Sequence, residues 1–125
     1  MNATQLLLIA LGGGLGAVSR ALVGQWLKGD FPWATLTVNV LGSLIIGVVL
    51  GWFMIRTNTP NALKLLFATG FCGAFTTFST FSYETLAMLQ EQRWAAGLGN
   101  IALNVVLCLV ATYVGIRLAI SLGSA

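Results

Sequence analysis

Four apolar stretches, each long enough to cross a bilayer as a helix, take up nearly the whole sequence and leave only short polar links between them. A hydrocarbon core about 30 Å thick takes about 20 helical residues per crossing. Lipid offers no hydrogen bonds to a bare backbone, so segments of this kind satisfy their own peptide groups as helices. Composition agrees with that solvent: 58% of the residues are hydrophobic and 7% charged, against about 25% charged in a soluble globular chain. The expected fold class is an all-α membrane protein with four transmembrane helices, forming a single domain over residues 1–125.

The first stretch runs from about Ala3 to Leu27, holds one charge, Arg20, and ends at Lys28-Gly29-Asp30-Phe31-Pro32, a polar turn closed by a helix breaker. Met1 to Gln5 carry no basic side chain and the apolar run is long, so it is expected to be a span and not a cleaved signal peptide. The second span covers about Trp33 to Ile55 and is closed by Arg56 and the turn-favouring Thr57-Asn58-Thr59-Pro60-Asn61. Trp33 and Trp52, near its ends, suit the headgroup depth where amphipathic rings collect. The third span, about Ala62 to Leu89, crowds glycines and hydroxyls into its middle, from Gly70 to Ser82. Backbone leaves the helical ladder at membrane depth only where protein or a water-filled cavity satisfies it, and a break is predicted near Gly73 to Thr77. The alternative is an unbroken helix whose hydroxyls bond back to carbonyls. The fourth span runs from about Trp94 to Ile120.

Three acids, no histidine and two cysteines leave little for catalytic dyads, metal clusters or a disulfide framework, so no enzymatic activity is expected. Six scattered basic residues give a net charge of +3 without forming a phosphate-tracking run, and no nucleic-acid partner is expected. The same residues bear on topology. Arg56, Lys64 and Arg117 fall on one side of the bilayer, Lys28 and Arg93 on the other. So flat a distribution gives little orienting instruction: either the chain inserts in both directions, and opposite copies can then pair into an antiparallel dimer, or a single basic residue or the N-terminal amine decides the orientation.

Small residues at four-residue spacing mark close helix contacts in lipid. Gly12, Gly16, Arg20 and Gly24 share one face of the first span; Thr35, Asn39, Ser43, Gly47 and Gly51 share one face of the second. A guanidinium within a span either faces a cavity or partner or snorkels to the headgroups, and both remain open for Arg20. Asn39 can offer two N–H donors to an anion or pair with another helix. Asn100, Asn104, Cys108 and Thr112 make a polar stripe on the fourth span, the wall of a hydrated path or a set of interhelical hydrogen bonds. Phe78 and Phe81 are nearly aligned, with Phe75 one turn before, and Thr76, Thr77, Ser79, Thr80 and Ser82 interleave with them. Phenylalanine ordinarily packs in a core, but ring edges carry partial positive charge, so rings held edge-on beside hydroxyl and amide donors can also line a pathway for a small solute, an anion among the candidates.

Three segments resemble the Fluc (CrcB) family of fluoride channels: Gly12 to Arg20, Thr35 to Ser43, and above all Gly70-Phe71-Cys72-Gly73-Ala74-Phe75-Thr76-Thr77-Phe78-Ser79-Thr80-Phe81-Ser82 with Glu84. The resemblance covers nearly the whole chain. It implies a passive channel exporting cytoplasmic fluoride across the inner (plasma) membrane, built as an antiparallel homodimer with two fluoride pathways. It further implies a structural sodium ion, Na+, held at the central break by backbone carbonyls that map onto Gly73 and Thr76. Asn39, Phe78 and Phe81 match the family's pore-lining amide and phenylalanines, and Arg20 its arginine; Ser79 and Thr80 lie in the same run. Asn104 and Cys108 stand where the family often shows tyrosine or serine. The rival architecture, a small four-span multidrug antiporter, needs a membrane-buried carboxylate in its first span, where this chain has Arg20 and no acid.

Overall fold

The computed structural model describes residues 1–124. Its elements are α1 (Ala3–Trp26), α2 (Trp33–Ile55), a third span in two halves, and α5 (Trp94–Gly123). The first half of that span, α3, joins Asn61–Leu63, the wide-turned Lys64–Cys72 and Gly73–Phe75; the second half, α4, is Phe78–Gln90. Four helical spans are long and apolar enough to cross a membrane, and there is no strand among the described residues. The chain is therefore a multi-pass, all-helical membrane protein. Observed ends fall within three residues of those expected from the sequence, the largest difference being the extension of α5 to Gly123.

Local chemistry sets the ends. Asn2 caps α1 by accepting the Gln5 N–H at 2.8 Å, and the Gln5 side chain accepts the Asn2 N–H at 3.0 Å. Pro32 precedes α2 and Pro60 precedes α3, where a missing N–H costs the helix nothing. Gln92, with φ of 65°, turns the chain between α4 and α5. Arg93 then donates to the Asp30 carbonyl at 2.9 Å, tying that link to the one between α1 and α2. At the other end of the bundle Arg56 lies over the Trp52 ring, 4.8 Å from its centroid.

Two glycine seams assemble the bundle. Along the first, α1 meets α3 so closely that a Cβ at Gly12 would strike the Leu66 carbonyl and one at Gly16 the Phe71 carbonyl. Those carbonyls are five residues apart, one turn of the i→i+5 helix over Lys64–Cys72, whereas the glycines are four apart, one ordinary turn. The widened turn thus keeps two different helical repeats in step. Along the second seam Gly47 faces the Thr112 carbonyl and Gly115 the Leu44 carbonyl, with Gly51 against Ile116 and Ala119, joining α2 to α5. Backbone approach of this kind is how helices associate in lipid, where hydrophobic burial gives no drive. The expected ladders are present with one difference: a Cβ at Gly24 would meet nothing within 4 Å, because Gly24 lies at a cavity mouth and not on a seam.

Outside these seams the large apolar side chains face outward. Leu7, Leu11, Leu15 and Val18 on α1, and Val105, Val106, Leu109 and Val110 on α5, are exposed. The buried set is small, including Val38, Leu65, Cys72, Phe75 and Phe81, of which Phe75 and Phe81 stand on either side of the interruption in the third span.

Candidate functional site

The interruption is two residues of extended backbone. Thr76 has φ −83° and ψ 158°, and Thr77 has φ −151° and ψ 117°, at the far edge of the predicted Gly73 to Thr77 window. The preceding turn is closed by Thr76, whose N–H and Oγ1 both donate to the Cys72 carbonyl, at 3.1 and 2.8 Å. Gly42 of α2 makes room for the Thr76 methyl, which would collide with any Cβ there. Thr77 then caps α4: its Oγ1 accepts the Thr80 N–H at 3.2 Å and donates to the Thr80 hydroxyl at 3.1 Å.

Three of the backbone groups freed by the break find partners elsewhere. The Thr77 N–H, which an unbroken helix would give to the Gly73 carbonyl, goes to Asn39 Oδ1 at 2.8 Å. The Thr80 N–H, whose helical acceptor would be the Thr76 carbonyl, goes to Thr77 Oγ1 instead. The Ala74 carbonyl is covered by Arg20 Nε at 2.9 Å. The Gly73, Phe75 and Thr76 carbonyls have thus lost their i+4 donors, while the carbonyl of Ala74 among them is taken by Arg20. Hard carbonyl oxygens of this kind are the ligands an alkali cation accepts in place of its water.

Arg20 is part-buried and turned into the bundle. Of the two alternatives the sequence left open, this geometry is the inward one. On the α1 seam Arg20 stands one turn after Gly16, so the ladder of glycines against carbonyls ends in a guanidinium against a carbonyl.

Two cavities flank the break. A cleft of about 480 Å³ lies between α3, α4 and α5 over the face of α2, and Asn39, Phe78, Phe81, Asn104 and Cys108 line it together with Gly73 and Thr76. The second, of about 400 Å³, opens toward the α1–α2 link and is lined by Arg20, Lys28, Thr80 and Glu84 among others. Thr77 lines both. The candidate residues are therefore divided: seven meet in the cleft, Arg20 and Thr80 belong to the second cavity, and Ser79 reaches Thr77 Oγ1 at 3.2 Å without lining either. The Phe78 and Phe81 rings are 5.4 Å apart and tilted by 55°. Phe81 is buried at 8% exposure and Phe78 stands out at 78%. Phe75 does not continue their row; the extended residues separate it, and it stacks on Phe71 at 5.2 Å.

Asn39 holds the break in place. Besides accepting from Thr77 it returns Nδ2 to the Thr77 carbonyl at 3.2 Å, and Nδ2 also donates to Asn104 Oδ1 at 3.0 Å. Both of its N–H groups are thus engaged within the protein. The polar stripe of the fourth span is divided as well: Asn104 and Cys108 face the cleft, Asn100 is fully buried against Thr85, and Thr112 packs through its carbonyl on Gly47. Sequence reasoning passed over Thr77 and Ser43 as site residues. The adjacent threonines at a predicted helix restart, one at the N-cap position, were the available signal for Thr77. Glu84, which belongs to the same motif run, has its Oε1 buried without a hydrogen-bond partner.

Residues 7–116 match the family model described as CrcB-like protein, Camphor Resistance (CrcB). The chain is 47% identical over 116 residues to a protein of Magnetococcus marinus, covering 90% of this chain and 94% of that one. It is 41% identical over 122 residues to a protein of Nitrobacter winogradskyi, covering 94% and 97%, and 45% identical over 122 residues to one of Nitratiruptor sp., covering 94% of each. Each of the three is named fluoride-specific ion channel FluC.

Proposed function

From the premise that this chain belongs to the CrcB-like family, we propose that it is a fluoride-selective passive channel of the bacterial inner membrane. The observation that carries the reading is the convergence of Asn39, Phe78, Phe81, Asn104 and Cys108 on one cleft beside the break, in a chain whose relatives bear that name. Fluoride enters a cell from acid surroundings as neutral HF and ionises in the neutral cytoplasm, where the anion cannot cross lipid. A membrane potential negative inside then drives it out with about 2.3 kcal/mol per charge for each 100 mV, and no chemical step is required.

Fluoride gives up strong water contacts on entering. The hydroxyls around Thr77 and the positive edges of Phe78 and Phe81 return part of them without a fixed countercharge that would trap the ion. Arg20 and Lys28, lining the second cavity, raise the local anion concentration at its mouth. A narrow bore between rings excludes larger chloride.

The functional unit is an antiparallel homodimer with two pathways. Its support is the balance of basic residues between the two sides and the exposure of Phe78 at 78% on an open cleft that a second copy would close. Na+ held by the Gly73 and Thr76 carbonyls is the matching proposal for the break, and the loss of their helical donors supports it. A proton-coupled antiporter is not favoured, since the first span carries Arg20 where that mechanism needs a carboxylate. The test is efflux from liposomes containing only this protein, followed with a fluoride electrode and with chloride in parallel. Fluoride efflux without chloride efflux is expected; equal rates, or none for either ion, would count against the reading.

A further inference from the structure

Asn39 Oδ1 faces a backbone N–H, which can only donate, so the orientation of that amide is fixed by chemistry. Its Nδ2 must then donate, and Asn104 presents Oδ1 to it at 3.0 Å. That in turn sends Asn104 Nδ2 the other way, to the carbonyl and the Oδ1 of Asn100, at 2.9 and 3.0 Å. With its oxygen so committed, Asn100 directs Nδ2 to Thr85 Oγ1 at 2.9 Å. Asn39 exchanges two bonds with Thr77, and from there the side chains donate in one direction, Asn39 to Asn104 to Asn100 to Thr85, crossing from the break through α2 and α5 to α4.

The two last members lie apart from the pathway. Asn100 has no exposure and Thr85 has 6%, and neither lines the cleft or the second cavity. Burial makes each link costly to leave unmade, and hydrogen bonds in series polarise one another. We propose that Asn100 and Thr85 are positioning residues for the fluoride pathway, holding from outside it the Asn104 amide in the orientation that the Asn39 amide, itself fixed by Thr77, requires. The proposal rests on the channel reading given above.

Removal of the Thr85 hydroxyl leaves Asn100 Nδ2 without an acceptor. Turning the Asn100 amide sets its N–H groups against those of Asn104, and turning Asn104 sets donor against donor at Asn39. Asn39 cannot turn, because the Thr77 N–H cannot become an acceptor. The mismatch therefore falls on the contact between Asn104 and the fixed Asn39 amide beside the break, several links from the substitution.

The experiment uses Thr85→Val, which keeps the shape and removes the hydroxyl, and Thr85→Ser, which restores it. Two measurements are made on the full-length protein: fluoride efflux from liposomes, and the side-chain carboxamide resonances of 15N-asparagine-labelled protein in bicelles. Thr85→Val is expected to lower fluoride efflux about tenfold, equivalent to about 1.4 kcal/mol, and to shift the Asn39 resonance together with those of Asn100 and Asn104. Thr85→Ser should return both to the parent values. If Thr85→Val does not fold, Thr85→Cys, with a weak acceptor of similar size, should fall between parent and loss in both measurements. A resonance change confined to Asn100 overturns the chain, and parent-like efflux in a Thr85→Val protein whose Asn39 resonance has moved overturns the positioning role. If the parent itself carries no fluoride, the channel reading fails and with it the role in a fluoride pathway, while the Asn39 resonance still decides the chain of hydrogen bonds.

Discussion

Arg20 Nε and the Ala74 carbonyl are joined at 2.9 Å across the seam between α1 and α3. The bond is the third rung of a ladder whose first two are Gly12 against the Leu66 carbonyl and Gly16 against the Phe71 carbonyl. Lysine would keep the charge but not the planar Nε that reaches Ala74. Arg20→Lys is expected to lower fluoride efflux about tenfold, the loss of about 1.4 kcal/mol that one charged hydrogen bond can supply. Parent-like flux in liposomes would mean that charge alone suffices.

The lower rungs give a test of stability. Gly12→Ala and Gly16→Ala place a methyl on backbone carbonyl oxygens that cannot move aside, and each should cost about 1–3 kcal/mol or more, as overpacking does. Gly14→Ala and Gly24→Ala meet nothing within 4 Å and should be neutral or stabilising by about 0.5–1 kcal/mol. Thermal unfolding in detergent, monitored by size exclusion, ranks the four; a uniform loss would show that the seam is not specific.

Replacing Phe78 or Phe81 with isoleucine removes the positive ring edge and keeps much of the bulk. Both variants should lose most fluoride efflux while chloride remains excluded. Phe81, buried within the single chain, should in addition lose stability of about 1–2 kcal/mol, below the cost of truncation to alanine. If both isoleucine variants conduct like the parent, the rings are packing residues.

Cation dependence separates side chain from backbone at the break. Thr76→Val removes a hydroxyl bonded to the Cys72 carbonyl and leaves the Thr76 carbonyl in place, so a requirement for sodium, measured against N-methylglucamine, should persist. Asn39→Ala releases the Thr77 N–H to return to the Gly73 carbonyl, and fluoride flux and its sodium dependence should be lost together. Retention of sodium-dependent flux in Asn39→Ala would place the cation elsewhere.

Orientation is accessible with C-terminal tags read from each side of the membrane. Both sides should report in comparable amounts, and adding two lysines to the Thr57–Asn61 link should drive the chain to one orientation, by the bias of basic residues toward the cytoplasm. A uniform orientation of the parent in functional dimers would overturn the antiparallel arrangement.

The spans were legible because hydropathy and turn chemistry agree at their ends, as at Pro32-Trp33 and Arg56-Thr57. The break was legible because glycines and hydroxyls at mid-membrane have few other uses. The wide turns over Lys64–Cys72 carry no local signal; they follow from fitting the Leu66 and Phe71 carbonyls to Gly12 and Gly16 on another helix. Periodicity likewise places Asn100 and Asn104 on one stripe and cannot say that α4 covers only the first, through Thr85. Gly24 continues the spacing of Gly12 and Gly16, yet its surroundings are open, a fact of the path of α1 past the break and not of its own sequence.

The unequal lengths of the helices bear on the lipid itself. At 30 residues α5 is about 45 Å long, and α1, at 24, about 36 Å. Against a hydrocarbon thickness of about 30 Å both overhang the core, and the longer helix has more to accommodate by leaning or by pushing its ends into the headgroups. Because α2 is seamed to α5 through Gly47 and Gly115, any change in the lean of α5 is passed to the helix that carries Asn39. Acyl-chain length in the host bilayer is thus a mechanical variable expected to reach the geometry of the break, most strongly in thin membranes, where α5 overhangs the core furthest.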